Sequence, residues 1–317
     1  AGRNINRTPA TGKYLAREVA MKHEALREAL VDYLAERGYL SDLRVRQAIS
    51  DVPRHLFVEA SPVEAYSDQA LSLKEQDGKV ISTISQPSVV AHMLEELNTL
   101  EGQKVLEIGT GMGYNAALLS ELVGPQGLVV TVEYDQELAK KAGLNLASYQ
   151  NVAAVHGDGR NGYAAQAPYD RIIVTAKASD IYPAWQEQLV MQGIMLVPLE
   201  YFSRFTRLIK LKRTEKGFEG GFGWAVNFVP MAGEGATEVV ELDEVASMLA
   251  NRDLSYKEMD AFLFYYFCSG EKPKAAMESW LQLGCPKPED FYLNTSHGTM
   301  RLSFASMELG MSISNIL

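Results

Sequence analysis

Short apolar runs alternate with helical segments between residues 104 and 198, and this alternation constrains the fold more than any other feature of the chain. The predicted strands are short and rich in β-branched residues: 104–108, 128–133, 152–156, 171–175 and 194–198. The predicted helices lie between them: 113–123, 136–149 and 184–189. Because strands that alternate with helices form a parallel sheet covered on both faces, the pattern predicts a doubly wound α/β fold. Such sheets bind ligands at the carboxyl ends of their strands.

The segments before this pattern are mostly helical. Amphipathic spacing predicts a helix over residues 21–37, and a second follows over 43–51. Residues 60–88 are predicted to be loop-like, with a turn at Asp77-Gly78. Pro87 is suited to the first position of a further helix. Residues 1–20 are expected to form an N-terminal arm.

The segments after it change in character. Two further strands are predicted near 208–213 and 222–228, and residues 236–317 are acidic. We expect this last part to be a small C-terminal α+β accessory domain, behind a main domain of residues 21–235. Its predicted elements are helices near 241–251 and 257–268 and strands near 291–293 and 300–305.

Composition argues against several classes of protein. The net charge of −10 and the pI near 5.1 argue against a nucleic-acid partner, which usually requires a basic surface. The only two cysteines, Cys268 and Cys285, are far apart and no His/Cys spacing is typical of zinc, so no metal is expected. No stretch reaches the roughly 20 apolar residues of a membrane span, and the polar N-terminus lacks a signal core. These features predict a cytoplasmic protein without a membrane partner.

A glycine-rich turn, Gly109-Thr110-Gly111-Met112-Gly113, follows the first strand of the alternating pattern and precedes a helix. Glycines at such a turn let the backbone approach a ligand closely, and the helix N-terminus adds unpaired N–H groups. The turn alone is compatible with either a nicotinamide or a methyl-donor cofactor.

Acidic residues at neighbouring strand ends favour the methyl donor. Glu107 lies just before the turn, and Glu133 ends the second strand, where a carboxylate can accept both ribose hydroxyls. Asp158 follows the third strand between two glycines and is placed to reach an adenine amine, and Tyr134 can pack on the adenosine. The sequence therefore predicts an S-adenosylmethionine site with S-adenosylhomocysteine as its product. Its predicted cofactor-binding residues are Glu107, Gly109, Thr110, Gly111, Gly113, Glu133, Tyr134, Gly157, Asp158 and Gly159.

More specific motifs lie before, around and after the turn. In order, they are Val52-Pro53-Arg54-His55-Leu56-Phe57-Val58, Thr83-Ile84-Ser85-Gln86-Pro87, Val105 to Tyr114, His156-Gly157-Asp158-Gly159-Arg160, Ala167-Pro168-Tyr169-Asp170 and Phe228-Val229-Pro230-Met231. With these motifs the chain resembles the protein-L-isoaspartate O-methyltransferase family over roughly residues 24–235. The resemblance implies a Rossmann-like methyltransferase sheet.

The resemblance also implies a reaction, the transfer of a methyl group from S-adenosylmethionine to the free carboxylate of an isoaspartyl residue in a peptide or protein. Ser85 matches the family's active-site serine, and Val229 and Pro230 match the segment that lines its peptide site. Thr83, Ile84 and Gln86 are the neighbouring substrate-binding candidates. The methyl ester can then close to a succinimide, whose hydrolysis returns some normal aspartate.

Two departures from the family pattern leave the substrate open. The approach to Ser85, Lys74 to Thr83, is longer and more polar than is typical, and Gln192-Gly193 replaces a Gly-Gly. The segment Ala178 to Trp185 is similar to a branch that methylates a normal Asp in a dedicated ribosomal peptide, which then cyclises to an aspartimide. Asp carboxyl methylation on such a peptide is the alternative.

The sequence gives less support to two other functional classes. Amino-nitrogen methyltransferases of nucleic acids usually carry an Asp/Asn-Pro-Pro-aromatic turn after the fourth strand, where this chain has Val174-Thr175-Ala176-Lys177. A cofactor-binding module without activity is disfavoured by the presence of Ser85 beside an intact glycine turn. The sequence does not give the oligomeric state.

Overall fold

The structure is a computed structural model, and it describes the main part of the chain together with shorter stretches of the C-terminal part. The described residues are 9–202, 205–215, 217–233, 254–255, 258, 261–262, 265–266, 273–285, 291–296, 299–304 and 307–309.

A ten-stranded sheet forms the centre of the fold. From one edge to the other, its strands are β12 (Met307–Leu309), β11 (Thr299–Phe304), β10 (Phe291–Ser296), β9 (Gly217–Ala225), β8 (Phe205–Thr214), β7 (Leu189–Phe202), β6 (Tyr169–Val174), β3 (Lys104–Ile108), β4 (Leu128–Glu133) and β5 (Val152–His156). The five neighbouring strands from β7 to β5 are parallel to one another, and the pairs from β7 to β12 are antiparallel. The predicted doubly wound α/β sheet is confirmed.

Side chains alternate between the two faces of this sheet, as the two-residue period of a strand requires. On β3, Leu106 and Ile108 belong to one buried cluster, whereas Val105 belongs to the other. The first cluster includes Trp185 and Tyr169, and the second is filled from the N-terminal helices. Because both faces are covered, most side chains of β3, β4 and β6 are apolar and buried.

The helices cover the sheet and supply its connections: α1 (Pro9–Glu36), α2 (Leu43–Asp51), α3 (Pro62–Ala65), α4 (Pro87–Leu97), α5 (Tyr114–Val123), α6 (Gln136–Asn145) and α7 (Pro183–Gln188). Helix α1 begins at Pro9, so residues 9–20 of the predicted arm are helical, and residues 1–8 lie outside the described residues. None of the helices described is long and apolar enough to cross a membrane.

The prediction of a loop over residues 60–88 is wrong. Besides α3, this segment forms the β-hairpin of β1 (Leu71–Gln76) and β2 (Lys79–Ile84), a separate two-stranded sheet. Asp77 and Gly78 both have positive φ, at +51° and +72°, which is the backbone of a tight two-residue hairpin turn. The strands were missed because seven of their twelve side chains are polar and the apolar ones do not alternate regularly with them.

The C-terminal part continues the same sheet. Strand β8 (Phe205–Thr214) is longer than predicted, and β9 (Gly217–Ala225) begins and ends earlier than predicted. Strand β10 (Phe291–Ser296) pairs antiparallel with β9. Strands β11 (Thr299–Phe304) and β12 (Met307–Leu309) follow, and in helix α8 (Pro273–Gln282) Trp280 packs into the core cluster of Trp185. The predicted helix near 241–251 lies outside the described residues, and the predicted domain boundary at 235 stays a prediction.

Arg171 on β6 joins the sheet to the end of α4. Its buried guanidinium donates to the carbonyls of Leu97 and Asn98 at 2.9 and 3.0 Å. These carbonyls belong to the last turn of the helix, which has no helical donors for them.

We expect Arg171→Met to lower the free energy of unfolding by about 2–3 kcal/mol, because it leaves buried carbonyls without donors. Urea denaturation measures this change. Arg46→Met is the matched control, since Arg46 only forms an exposed ion pair with Asp32, and it should change stability by less than about 1 kcal/mol. Equal effects of the two substitutions would contradict the role assigned to Arg171.

Candidate active site

The turn from β3 to α5 depends on its glycines. Gly109, Gly111 and Gly113 have φ values of +99°, +55° and +97°, a region that other residues rarely adopt. A Cβ on Gly109 would lie 2.5 Å from Thr175 Oγ1, and one on Gly113 would lie 2.9 Å from the Leu146 side chain. The turn therefore excludes side chains at Gly109 and Gly113 on both conformational and steric grounds.

Glu133, at the carboxyl end of β4, faces this turn. Its Oε2 accepts the N–H of Gly111 at 2.8 Å, and its Oε1 accepts the N–H of Asp135 at 3.0 Å. Burial raises the pKa of Glu133 above its usual value, while these hydrogen bonds oppose the rise. Each carboxylate oxygen keeps a further lone pair, so the group can still accept hydroxyl donors from a ligand.

Glu107 lies beneath the turn, fully buried in β3. Thr131 donates its hydroxyl to Oε2 at 2.6 Å, and Asn115 donates its side-chain N–H to Oε1 at 2.7 Å. Burial, with a smaller contribution from the nearby Glu133, raises the pKa of Glu107 to about 7, against the effect of these two donors. Glu107 therefore links the strand before the turn to α5 through Asn115 and to β4 through Thr131.

The segment that carries Ser85 is fixed by Asp68. One carboxylate oxygen of Asp68 accepts the N–H of Ser88 at 2.8 Å, and the other accepts the side-chain amide of Gln86 at 3.0 Å. Asp68 thus satisfies an N–H in the first turn of α4, whose own N-cap residue, Gln86, makes no capping bond. These two hydrogen bonds involve the residues on either side of Pro87, and they fix the backbone that follows Ser85.

A third segment is held at the same edge of the sheet. The N–H of Lys177, just after β6, donates to the carbonyl of Val229 at 2.8 Å, and the N–H of Met231 donates to the carbonyl of Lys177 at 2.9 Å. Pro230 forms an isolated bridge with Lys177. Residues 229–231 are therefore fixed beside the carboxyl ends of β3 and β6.

One cavity is lined by all of these segments. The predicted residues on its surface are Thr83, Ile84, Ser85, Gly109, Thr110, Gly111, Glu133, Tyr134, Gly159, Val229 and Pro230. We call Gly109–Met112, Glu133 and Tyr134 the donor side, and residues 81–85 and 229–232 the acceptor side. The structure thus brings Ser85 and Glu133, 48 positions apart in the sequence, to the same cavity.

The remaining predicted residues lie behind or beside the cavity. Glu107 and Gly113 support the turn, and Gln86 is engaged with Asp68. Gly157 and Asp158 are not part of the cavity lining, and Asp158 forms a 2.6 Å ion pair with Arg160 that lowers the pKa of its carboxyl. Their roles in binding adenine stay predictions.

Several residues of the site were missed from the sequence. Leu73, Ser82, Asn115 and Thr175 line the cavity, and Asp68 holds the Ser85 segment from outside it. The Asp77-Gly78 turn was the one signal that could have placed Leu73 and Ser82 on a hairpin. Asn115, Thr175 and Asp68 act through contacts with residues in other segments of the chain, which no local sequence pattern predicts.

The donor side has the shape that a nucleoside cofactor requires. A Cβ on Gly111 would lie 3.2 Å from Leu73 Cδ1 and 3.9 Å from Ser82 Oγ, so any side chain there would occupy the gap between the turn and the hairpin. Glu133 offers acceptors to ribose hydroxyls beside that gap, and half-exposed Tyr134 offers a ring face. The residues present therefore fit the predicted S-adenosylmethionine.

We expect Glu107→Gln to remove a pH dependence of stability. A carboxyl whose folded pKa is near 7 and whose unfolded pKa is near 4.5 binds more protons when folded, so the wild type loses stability as the pH rises between these values. Relative to that of the wild type, the free energy of unfolding of Glu107→Gln should rise by up to about 3 kcal/mol between pH 5 and pH 8. Urea denaturation of the cofactor-free protein at several pH values measures the difference.

Glu64→Gln is the control for that experiment. Hydrogen bonds from Ser61 lower the pKa of the exposed Glu64, so it is ionised in both the folded and the unfolded protein over this range. Glu64→Gln should therefore leave the dependence of the free energy of unfolding on pH the same as in the wild type. Parallel curves for Glu107→Gln and the wild type would show that Glu107 is not protonated by burial.

The sequence comparisons agree with this geometry. The profile of the protein-L-isoaspartate(D-aspartate) O-methyltransferase family matches residues 25–236. Protein-L-isoaspartate O-methyltransferase 2 of Archaeoglobus fulgidus is 42% identical over 227 residues, which are 70% of this chain and 100% of the relative. The enzyme of the same name from Methanosarcina mazei is 43% identical over 221 residues, 69% of this chain and 88% of the relative.

The structural comparisons extend further along the chain. A solved protein-L-isoaspartate O-methyltransferase, 25% identical with a TM-score of 0.68, covers 88% of this chain and 99% of its own. That share exceeds what residues 1–236 can supply, so the similarity reaches into the C-terminal part. A Plasmodium falciparum protein solved in complex with S-adenosyl-L-homocysteine shares the fold, with a TM-score of 0.57, 21% identity and coverage of 65% of this chain and 98% of its own. The chain belongs to the protein-L-isoaspartate(D-aspartate) O-methyltransferase family.

Proposed function

We propose that this chain transfers a methyl group from S-adenosylmethionine to the free carboxylate of L-isoaspartyl residues in peptides and proteins. The observation that carries the proposal is the single cavity whose donor side contains the glycine turn and Glu133 and whose acceptor side contains Ser85 and Val229. A methyl transfer needs the two reactants in line and in contact, and this cavity joins the two sides.

The donor side holds the cofactor through groups that are already fixed. Glu133 would accept the ribose hydroxyls, and its own bonds to Gly111 and Asp135 set the direction of its free lone pairs. The first turn of α5, where backbone N–H groups lack helical acceptors, begins directly after the glycine turn. S-adenosylmethionine, when bound there, would supply an electrophilic methyl group: its carbon–sulfur bond would break as the carboxylate oxygen bonds to the methyl carbon, and S-adenosylhomocysteine would leave as a neutral thioether.

The acceptor side has little proton chemistry to perform. A carboxylate with an unperturbed pKa near about 4 is already ionised at neutral pH, so no general base is required. Ser85, partly buried, donates its hydroxyl to one carboxylate oxygen and leaves the other free to attack. Val229 and Pro230 cover the peptide and exclude water, which otherwise solvates and weakens the carboxylate as a nucleophile.

The product explains the biological use of the reaction. An alkoxide leaves a methyl ester more readily than an oxide leaves a carboxylate, so the neighbouring peptide nitrogen closes a succinimide without further help from the protein. Hydrolysis of that ring returns part of the damaged chain to normal aspartate. The activity is therefore one of repair.

The alternative, methylation of a normal Asp in one dedicated ribosomal peptide, is not favoured. It depended on the segment Ala178 to Trp185 and on the longer approach to Ser85. In the structure Trp185 is a core residue whose indole N–H donates to the carbonyl of Gly159 at 2.8 Å. The relatives at 42–43% identity are named for isoaspartate.

A pair of peptides that differ only in one residue tests the proposal. The isoaspartyl peptide should be methylated with S-adenosylmethionine, and kcat/KM for its Asp twin should be at least about 100-fold lower, because the site must place a carboxylate one methylene away from its usual position. Release of S-adenosylhomocysteine measures both. Preference for the Asp peptide would support the alternative, and methylation of neither would exclude a carboxylate acceptor.

We expect Ser85→Ala to lower kcat/KM for the isoaspartyl peptide by about 5- to 150-fold, the equivalent of one lost hydrogen bond to a charged group at about 1–3 kcal/mol. The Kd of S-adenosylhomocysteine should stay within about twofold, because Ser85 belongs to the acceptor side. Steady-state kinetics and calorimetry measure the two quantities.

Ser72→Ala is the matched control, since Ser72 is an exposed hairpin residue outside the cavity lining, and its hydroxyl donates to the side chain of Glu75 at 3.3 Å. It should retain full activity. If Ser85→Ala also retained full turnover, Ser85 would have no part in the mechanism.

A further inference from the structure

The β1–β2 hairpin covers the cofactor site without being part of the main sheet. Its two strands pair only with each other among the described strands. Leu73 on β1 and Ser82 on β2 face the glycine turn, and the strand β2 leads directly into Ser85. The position of the acceptor side relative to the donor side therefore depends on how this hairpin is held.

Lys74, next to Leu73 on β1, bridges from the hairpin to the start of α6. Its Nζ lies 2.8 Å from Asp135 Oδ2 and 3.0 Å from Glu137 Oε2. The side chains of Lys74 and Asp135 are each 26% exposed, whereas that of Glu137 is 59% exposed. Among ion pairs between described residues, these are the ones that join the hairpin to the rest of the molecule.

Asp135 connects this bridge to Glu133, the residue proposed to bind the ribose. Its Oδ1 caps α6 by accepting the N–H groups of Glu137 and Leu138, both at 3.0 Å. Its own N–H donates to Glu133 Oε1 at 3.0 Å. A continuous chain of hydrogen bonds therefore runs from Lys74 through Asp135 to Glu133.

We infer that Lys74 is a positioning residue that fixes the hairpin, and with it the Ser85 segment, against the cofactor-binding end of β4. The inference rests on the proposed function, because it assigns Glu133 to the ribose and Ser85 to the acceptor. It adds a residue that touches neither reactant and sets the distance between the two sides of the cavity.

The electrostatics support this role. Hydrogen bonds to Asp135 and Glu137 raise the pKa of Lys74, and the bond from Lys74 lowers the pKa of Asp135, although burial acts in the opposite direction on that carboxyl. The two carboxylates lie at the N-terminus of α6, where the helix dipole favours negative charge, so they stay in place without Lys74. Loss of Lys74 should thus release the hairpin and leave α6 intact.

The test compares Lys74→Ala with Lys141→Ala in the full chain. Lys141 forms a 3.2 Å ion pair with the same Glu137 but lies on α6 itself, so its loss removes the same charge without releasing the hairpin. Lys74→Ala should raise the Kd of S-adenosylhomocysteine and the KM of the isoaspartyl peptide by about five- to tenfold each, with kcat within about twofold. Lys141→Ala should change each by less than about twofold.

Two further readouts separate positioning from general stability. Lys74→Arg keeps the cation and should restore both constants to within about twofold of the wild type. Raising the salt concentration from about 0.05 M to about 0.5 M should weaken wild-type and Lys141→Ala binding towards the Lys74→Ala value and leave Lys74→Ala almost unchanged.

Equal constants for Lys74→Ala and Lys141→Ala, or a loss in Lys74→Ala that Lys74→Arg does not restore, would overturn the inference. The cofactor measurement needs no peptide. A wild type that binds S-adenosylhomocysteine but methylates no isoaspartyl peptide would therefore refute the proposed function, while the comparison of Kd values would still decide whether Lys74 positions the hairpin.

Discussion

The turn between β3 and α5 is the constraint on which the rest of the site depends. Its backbone passes through positive φ at Gly109, Gly111 and Gly113, and neighbouring side chains fill the space that a Cβ would need at Gly109 and Gly113. Because the turn is packed against Thr175 after β6 and bonded to Glu133 at the end of β4, it joins the ends of three parallel strands. The place where a cofactor can bind is thus set by the central sheet.

The acceptor side is assembled from less regular parts, each fixed by a few polar contacts. Asp68 holds the backbone after Ser85, Lys177 holds residues 229–231, and Lys74 ties the hairpin to α6. These contacts have different strengths, since a carboxylate that accepts a helix N–H is less easily screened than a partly exposed ion pair.

Sequence patterns predicted the part of the site that local chemistry dictates. β-Branched runs marked the parallel strands, and glycines and strand-end acids marked the donor side, because their spacing follows from the geometry of one turn. The hairpin was missed since the apolar residues of its strands do not alternate regularly with the polar ones, and Asp68 was missed because it acts on Ser88, 20 positions away. The family motif located Ser85, whereas only the three-dimensional structure shows what holds it in place.

A crystal structure of the chain with S-adenosylhomocysteine and an isoaspartyl peptide tests the central claim most directly. The account predicts that both ribose hydroxyls donate to Glu133 and that the peptide carboxylate lies within about 3.2 Å of Ser85 Oγ, between the glycine turn and Val229. A nucleoside bound away from Glu133, or a peptide carboxylate that does not reach Ser85, would contradict it.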